Sequence, residues 1–201
     1  MKRLVVGVSG ASGQIYALRF LKSLPPDVVA HVIFSVTAAK IMKQEVGWNI
    51  ERQSLKEFLK IKYDESPAGA KIIRHDVHDF FAPVSSGSFK TAGMIVIPSS
   101  AKTLAGIANG YTSTLLERAA DVSLKEKRPL IIVLRESPYN KIHLENMLKA
   151  HQAGAVILPA SPGFYQHPQN IEQAVDTIVA RALNLLDIPR QIMRGWGEEN
   201  D

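Results

Sequence analysis

The chain has 201 residues, of which 46% are hydrophobic and 21% charged, a composition typical of one globular domain and not of a disordered segment. It contains no cysteine, which excludes disulfides, iron–sulfur clusters, thiolate zinc sites and cysteine nucleophiles. The formal net charge of +5 is compatible with an anionic ligand, but the basic residues are dispersed and form no nucleic-acid-binding motif or stripe.

Short apolar runs alternate with helical patterns along the chain, which predicts a mainly parallel sheet covered by helices on both faces. The predicted strands are 4–8, 28–34, 94–98, 130–134 and 155–158, with a weaker run at 71–75. The predicted helices are 14–24, 38–46, 54–61, 112–125, 141–154 and 171–186. Residues 1–201 are therefore interpreted as a single α/β domain, in which 189–201 form a C-terminal tail.

The basic N-terminal segment leads directly into a glycine turn and is interpreted as the first strand, not as a signal peptide. No stretch reaches the roughly 18 apolar residues of a membrane span. We therefore expect a soluble, cytoplasmic protein.

A glycine-rich turn, residues 7–13, follows the first predicted strand. Gly10 and Gly13 permit positive φ and close approach of a ligand, and Ser9 and Ser12 add hydroxyl donors. A helix starting near Gly13 would direct its free N–H groups at an anion, so the turn predicts a phosphate site. Its spacing is neither G-x-G-x-x-G nor a P-loop, and a purely structural strand–helix turn remains the alternative.

Two serine-rich loops are further candidates, one at 85–88 and one at 98–103 after a buried strand. Ligands of open parallel sheets bind beyond the carboxyl ends of strands, so these loops predict part of a cofactor site. Ordinary helix capping by Ser99 or Ser100 explains the second loop equally well.

Charged residues supply the remaining candidates. Arg135 and Glu136 follow strand 130–134 and are expected in the same crevice, although a surface ion pair is the alternative. Arg118, Asp121 and Lys125 share one face of a helix, a spacing usual for solvated salt bridges, but apolar neighbours indicate that this helix is partly buried.

No metal site is predicted. His75 and His78 lie three residues apart, but no second histidine pair or thiol completes a ligand set. A G-x-S-x-G elbow for a serine hydrolase is also missing from the sequence.

Five blocks of sequence together resemble the UbiX-type flavin prenyltransferases, formerly described as phenylacrylic or 3-octaprenyl-4-hydroxybenzoate decarboxylases. They are GVSGASG at 7–13, SSGSF at 85–89, SSAKTLAGIANG at 99–110, ERAADVSLKEKRPLIIVLRESP at 117–138 and HLENMLKAHQAGAVILPASPGFYQHPQ at 143–169. The resemblance covers nearly the whole chain, from Lys2 to about Trp196.

The resemblance implies a flavodoxin-like Rossmann domain, a three-layer α/β/α structure, assembled as a dodecamer. It implies that FMN is the prenyl acceptor and dimethylallyl monophosphate the donor, with bonds formed at flavin N5 and C6 and without a metal. The prenylated FMN would serve a UbiD-type decarboxylase partner, often in ubiquinone biosynthesis.

Site residues follow from the resemblance position by position. The implied FMN contacts are Gly10, Ala11, Ser12, Ser35, Ser86, Gly87, Ser88, Ser100, Ala101, Lys102, Thr103, Arg118 and Arg135. The implied contacts to the donor phosphate are Lys125, Tyr165 and Arg181. The implied catalytic residues are Ser12, Glu45, Lys125, Glu136 and Trp196.

These roles agree with the chemistry of allyl transfer. Lys125, Arg135 and Arg181 would stabilise charge that develops on the leaving phosphate, and Trp196 would offer a π face to an allyl cation. Either Glu45 or Glu136 would act as acid or base, with Ser12 as a proton relay. One departure is local: Val36-Thr37-Ala38 stands where many relatives have Lys-Ala-Ala, which leaves any charge contribution at position 36 in doubt.

Two other functions are compatible with such a fold. A flavin-dependent cysteine decarboxylase of the phosphopantothenoylcysteine type would carry an early catalytic histidine and a PASANT-like motif, whereas the corresponding loop here reads PSSAKT at 98–103. A non-catalytic flavin carrier would need no allyl-phosphate site, so the set of Lys125, Glu136, Tyr165 and Arg181 argues against it.

Overall fold

A computed structural model describes residues 1–63, 69–188 and 192 of the chain. Six strands in these ranges pair in parallel in the order β3-β2-β1-β4-β5-β6. This doubly wound order reverses between β1 and β4, which is where open α/β sheets bind ligands. The predicted flavodoxin-like Rossmann α/β/α class is confirmed. The strands are β1 (Lys2–Val8), β2 (Val28–Phe34), β3 (Lys71–His75), β4 (Gly93–Ser99), β5 (Leu130–Leu134) and β6 (Ala155–Pro159).

Seven α-helices connect and cover these strands in the described ranges. They are α1 (Gln14–Ser23), α2 (Val36–Ile41), α3 (Leu55–Tyr63), α4 (Ala101–Ala108), α5 (Leu115–Lys125), α6 (Lys141–Gln152) and α7 (Ile171–Leu185). A π-helical turn, Met42–Val46, continues α2. No helix of the described part of the chain is both long and apolar enough to cross a membrane.

Each of the helices α4, α5 and α7 begins directly after the residue that caps it. The Asn170 side chain accepts from Gln173 N, and α7 begins at Ile171, as predicted. Thr114 and Glu117 form a capping box, so α5 begins at Leu115 and not at 112 as predicted. Helix α4 was not predicted, because its eight residues include Gly106 and give too short a pattern.

The sheet is buried between two apolar layers. Leu4, Val6 and Val8 pack on one face of β1 in a cluster with α1 and α7, whereas Val5 lies in the cluster on the opposite face with α4 and α5. Strands enclosed on both sides need apolar residues at every position, which explains their continuous runs. The edge strand β3 is only half-buried, which explains its weak pattern.

A buried ion pair fixes α1 against α7. Arg19 Nε donates to Asp176 Oδ1 at 2.8 Å, and a second guanidinium nitrogen contacts the other carboxylate oxygen. The Asp176 side chain is almost fully buried, so loss of Arg19 would leave a carboxylate charge in the core. The pair holds α1 in place, and the N-terminus of α1 forms part of the site described next.

Candidate active site

The turns after β1 and β4 meet at the carboxyl edge of the sheet, where the strand order reverses. Ser9, which is fully buried, joins them: its Oγ donates to Pro98 O at 3.1 Å and accepts from Ser100 N at 2.7 Å. The sequence pattern suggested Ser9 as a donor to a ligand. In the structure its hydroxyl is instead used to hold two loops together.

The glycine turn packs closely against the start of α2. A Cβ on Gly10 would lie 2.7 Å from Thr37 Cβ, so no side chain fits there without movement. Gly13 adopts φ 92° and precedes the first residue of α1, a conformation that favours glycine. Ser35 follows β2 and caps α2 by accepting from Ala38 N at 3.1 Å. The predicted FMN contacts Gly10 and Ser35 therefore border the same crevice.

The carboxylate of Glu45 occupies the N-terminus of α1. Its Oε2 accepts from Gly13 N at 2.8 Å and from Gln14 N at 2.9 Å. These are the amides that the sequence pattern assigned to a cofactor phosphate. An anion added there would compete with a carboxylate that is already bound, since both prefer the positive end of the helix.

The pKa of Glu45 lies below its usual value. Partial burial alone would raise it, but hydrogen bonds from Ser12, Gln14 N and Gly13 N, with the positive charge of Arg135, outweigh that effect. Glu45 is therefore ionised at neutral pH, which makes it a proton acceptor.

Arg135 completes this group of residues. Its Nε donates to Ser12 O at 3.1 Å, and its backbone N–H donates to Ser99 O at 3.0 Å, so it links the glycine turn to the end of β4. The next residue, Glu136, is half-buried and accepts from Ser137 N at 3.1 Å. The structure thus brings Ser12, Glu45 and Arg135 together.

The start of α4 provides a second helix N-terminus beside the crevice. Ser100 Oγ accepts from Thr103 N at 3.3 Å and lies 3.1 Å from Thr103 Oγ1. The Lys102 side chain is 80% exposed, with its Nζ 3.7 Å from the buried carboxylate of Glu117. Among the described residues, no carboxylate caps this end, in contrast to α1.

Four of the predicted contacts, Ser86, Gly87, Ser88 and Lys125, lie towards the opposite edge of the sheet. Helix α5 runs from the carboxyl edge to the amino edge, and Lys125 is its last residue. Lys125 Nζ contacts Glu126 Oε1 at 2.8 Å, and both side chains lie against Gly87. Arg128 donates to Gly87 O and, at 2.8 Å, to Phe89 O. Lys125 and the loop with Ser86 and Gly87 are therefore remote from the glycine turn of their own chain.

Other predicted residues are placed as follows. Arg118 donates to Ser85 O at 3.1 Å and pairs with Asp121 at 2.9 Å, as expected for a salt-bridged helix face. Tyr165 lies exposed in the loop after β6. Arg181 is exposed in the second half of α7, a helix that starts at the carboxyl edge. Trp196 and nearly all of the predicted tail lie outside the described residues.

No metal site emerges from the part of the chain that the structure describes. Residues 1–63, 69–188 and 192 contain no group of three or more histidine, aspartate or glutamate side chains that would hold a metal ion.

Comparisons with known proteins agree with this architecture. The family described as Flavoprotein matches residues 1–187. The flavin prenyltransferase UbiX of Pseudomonas aeruginosa is 44% identical over 202 residues, covering 99% of this chain and 96% of the relative. A structure of AnUbiX in complex with FMN and dimethylallyl pyrophosphate has 39% identity and a TM-score of 0.83, covering 97% of this chain and 98% of that one. The chain belongs to the UbiX family of flavin prenyltransferases.

Two further solved structures show how far the similarity in sequence and in fold extends. A dodecameric FMN-dependent UbiX-like decarboxylase from Escherichia coli O157:H7 has 39% identity and a TM-score of 0.83, covering 96% of this chain and 98% of that one. The peptidyl-cysteine decarboxylase EpiD has 17% identity and a TM-score of 0.55, covering 92% of this chain and 99% of that one. The second similarity shows a shared fold and no more.

Sequence reasoning missed two polar side chains that shape this UbiX-family site. Glu117 is buried, accepts from Ser113 Oγ at 2.6 Å and faces Lys102. Gln14 is buried beneath the glycine turn. Both occupy the first turn of a helix, where a polar residue is usually assumed to be a solvated cap, so the sequence carried little signal of their burial.

Proposed function

We propose that the protein transfers a dimethylallyl group from dimethylallyl monophosphate to N5 and C6 of reduced FMN. The observation that carries this proposal is the cluster of Ser12, Glu45 and Arg135 at the carboxyl edge of the sheet, in a chain of the UbiX family. Reduced flavin supplies the nucleophilic positions that accept the allyl group; the chain's own residues bind, orient and move protons.

The FMN phosphate is proposed to bind at the start of α4, on the run Ser100, Ala101, Lys102 and Thr103. Support comes from electrostatics: this helix end has no carboxylate cap among the described residues, and Lys102 adds a positive charge. The start of α1, by contrast, is bound to Glu45. Gly10, Ala11 and Ser35 would then contact other parts of the flavin, where Gly10 permits close approach.

Glu45 is proposed as the proton acceptor, with the Ser12 hydroxyl as the relay. The ionised Glu45 carboxylate accepts a hydrogen bond from Ser12, so a proton from Ser12 Oγ would pass directly to it. Glu136 remains the second candidate, placed beside Arg135. Arg135 itself would stabilise the negative charge that develops on the departing phosphate.

Lys125, Ser86, Gly87 and Arg181 are proposed to serve the site of a neighbouring subunit in a homo-oligomer, for which a dodecamer is the proposed assembly. Their position away from the carboxyl edge supports sharing, because Lys125 ends α5 at the amino edge. A donor phosphate bound beside Arg135 would then gain its further cations across an interface.

An anaerobic assay tests the proposed function. The purified protein is mixed with reduced FMN and dimethylallyl monophosphate, and the flavin is analysed by mass spectrometry. A flavin heavier by one C5 prenyl unit is expected, with dimethylallyl pyrophosphate as the parallel donor. An unchanged mass while FMN stays bound would contradict transfer and favour the carrier function.

Glu45→Gln is expected to slow transfer by about 10²- to 10⁴-fold while leaving FMN binding nearly unchanged. Glutamine keeps an oxygen for the amides of Gly13 and Gln14, so the cap of α1 survives, but it accepts no proton. Single-turnover rates and FMN titration measure the two effects. Glu136→Gln is compared in the same way, and Glu145→Gln, an exposed position on α6, is the control. Full activity of Glu45→Gln would exclude Glu45 as the base.

The remaining expectations also belong to this proposal. They are delivery of prenylated FMN to a UbiD-type decarboxylase, a role in ubiquinone biosynthesis and a cytoplasmic location. A cysteine decarboxylase activity has less support, because the similarity to EpiD extends to the fold alone.

A further inference from the structure

The side chain of Gln14 lies fully buried beneath the glycine turn. Its Nε2 donates two hydrogen bonds to turn carbonyls, one to Ser9 O at 2.9 Å and one to Ala11 O at 2.7 Å. Gln14 is also the first residue of α1, and its own amide is held by Glu45. One amide group therefore connects the turn to the helix that follows it.

These bonds determine which way the peptide groups of the turn face. Ser9 O accepts from Ala11 N at 2.9 Å as well as from Gln14, so this carbonyl points into the protein. The Ala11 carbonyl is held inward by the second Nε2 bond. Within the described part of the chain, the amides of Gly10 and Ser12 have no acceptor, which leaves them available to a ligand.

The other end of the Gln14 side chain has an unusual environment. Its Oε1 is the one buried side-chain nitrogen or oxygen without a hydrogen-bond partner in the described residues. A buried acceptor without a partner destabilises a fold, and an apolar side chain of equal size would remove this cost together with the two donated bonds. The net gain in fold stability from the glutamine is therefore small, and its distinctive contribution is the pair of bonds that orients the turn carbonyls.

We infer that Gln14 is a positioning residue for FMN: its Nε2 holds the Ser9 and Ala11 carbonyls inward and so keeps the Gly10 and Ser12 amides directed at the flavin. The inference rests on the proposed binding of FMN to this turn. It concerns a residue that contacts the turn and not the reacting atoms.

Gln14→Met separates this role from a structural one. Methionine matches the length of glutamine but donates nothing, and it removes the unpaired oxygen. Loss of the two bonds and removal of the unpaired oxygen act on stability in opposite directions, so we expect a urea midpoint close to that of the wild type, together with an FMN Kd raised about tenfold for two lost hydrogen bonds. A purely structural glutamine would give the reverse, lower stability with an unchanged Kd. Gln152→Met, at an exposed position on α6, is the matched control.

Two further measurements make the outcome decisive. Gln14→Glu places a carboxylate oxygen against two carbonyls and is expected to weaken FMN binding more than Gln14→Met. Hydrogen exchange of the Ala11 amide in the FMN-free protein is expected to be at least about tenfold faster in Gln14→Met, because its bond to Ser9 O depends on the braced turn. An FMN Kd within twofold of wild type, or unchanged Ala11 exchange, overturns the inference. A wild-type protein that fails to bind FMN overturns the proposed function instead, while the exchange measurement still tests the brace.

Discussion

Co-expression of Lys125→Ala and Glu45→Gln chains is expected to restore transferase activity that neither variant has alone. Lys125 ends α5 at the amino edge of the sheet, whereas Glu45 lies at the carboxyl edge, so one chain does not bring them together. If each site takes Glu45 from one subunit and Lys125 from another, random mixing of equal amounts regenerates about one quarter of the sites. Lys125→Ala alone is expected to lose about 10²- to 10³-fold in rate, because a cation at the leaving phosphate is removed.

The two chains would carry different affinity tags, so that tandem purification yields only mixed oligomers. Single-turnover transfer is then measured per bound FMN. Lys56→Ala, an exposed position on α3, is the matched lysine control and is expected to keep full activity. Activity no higher in the mixed oligomer than in the separate variants would show that the site is not shared in this way.

The free energy of unfolding is expected to fall by roughly 2–3 kcal/mol between pH 7 and pH 4 through one histidine. His31 on β2 is 5% exposed, and its Nδ1 lies 2.9 Å from Nε2 of His75 on β3. The pKa of His31 is lowered to about 4, chiefly by burial and in smaller part by the charges of His75, Arg3 and Lys71. Burial also lowers the pKa of His75, although Asp79 opposes that effect.

The direction follows from proton uptake. Between about pH 6.5 and pH 4 the unfolded chain protonates this histidine while the folded chain keeps it neutral, so stability decreases as the pH falls. Urea unfolding at a series of pH values measures the slope. The slope for His31→Gln is expected to be flatter between pH 6.5 and about 5, above most of the range in which carboxylates titrate. His78→Gln, at an exposed position, is the control; equal slopes in His31→Gln and wild type would rule out His31 as the cause.

The pair also has a structural consequence. Phe89 packs edge-on against His31 with ring centroids 5.1 Å apart, and the Arg3 guanidinium lies 4.8 Å from the Phe89 ring centre. The loop that carries Ser86 and Gly87 is thus held at Phe89 by the contact of that ring with His31. Protonation of His31 is expected to destabilise this loop before the rest of the fold, because the new positive charge would face Arg3 and Lys71.

Much of the fold was predictable because it depends on local patterns. The predicted strands 28–34 and 130–134 match β2 and β5 in both bounds, since burial on two faces demands an uninterrupted apolar run, and the weaker run 71–75 matches the edge strand β3. Helix 38–46 exists but begins at Val36 and ends in a π-helical turn, which changes the hydrogen-bond register without changing composition. Helix α4 was missed because eight residues are too few to show a period.

The candidate site was predicted in part. The residues implied by the UbiX resemblance at the ends of β1, β2, β4 and β5 do lie around one crevice, because parallel strands bring their carboxyl ends to the same edge. Binding by those residues stays a prediction. The phosphate position was less predictable, because nothing near residue 13 in the sequence shows that Glu45, 32 positions later, caps α1.

The amino-acid sequence by itself determined the parallel α/β class, the glycine turn after the first strand and the family to which the chain belongs. These depend on short-range patterning and on blocks of adjacent residues. The tertiary structure alone decided that Glu45 caps α1, that Gln14 braces the turn and that Lys125 lies at the opposite edge of the sheet. Each of these is a contact, or a separation, between segments distant in sequence, and it is fixed by the packing of helices on the sheet and not by any local preference.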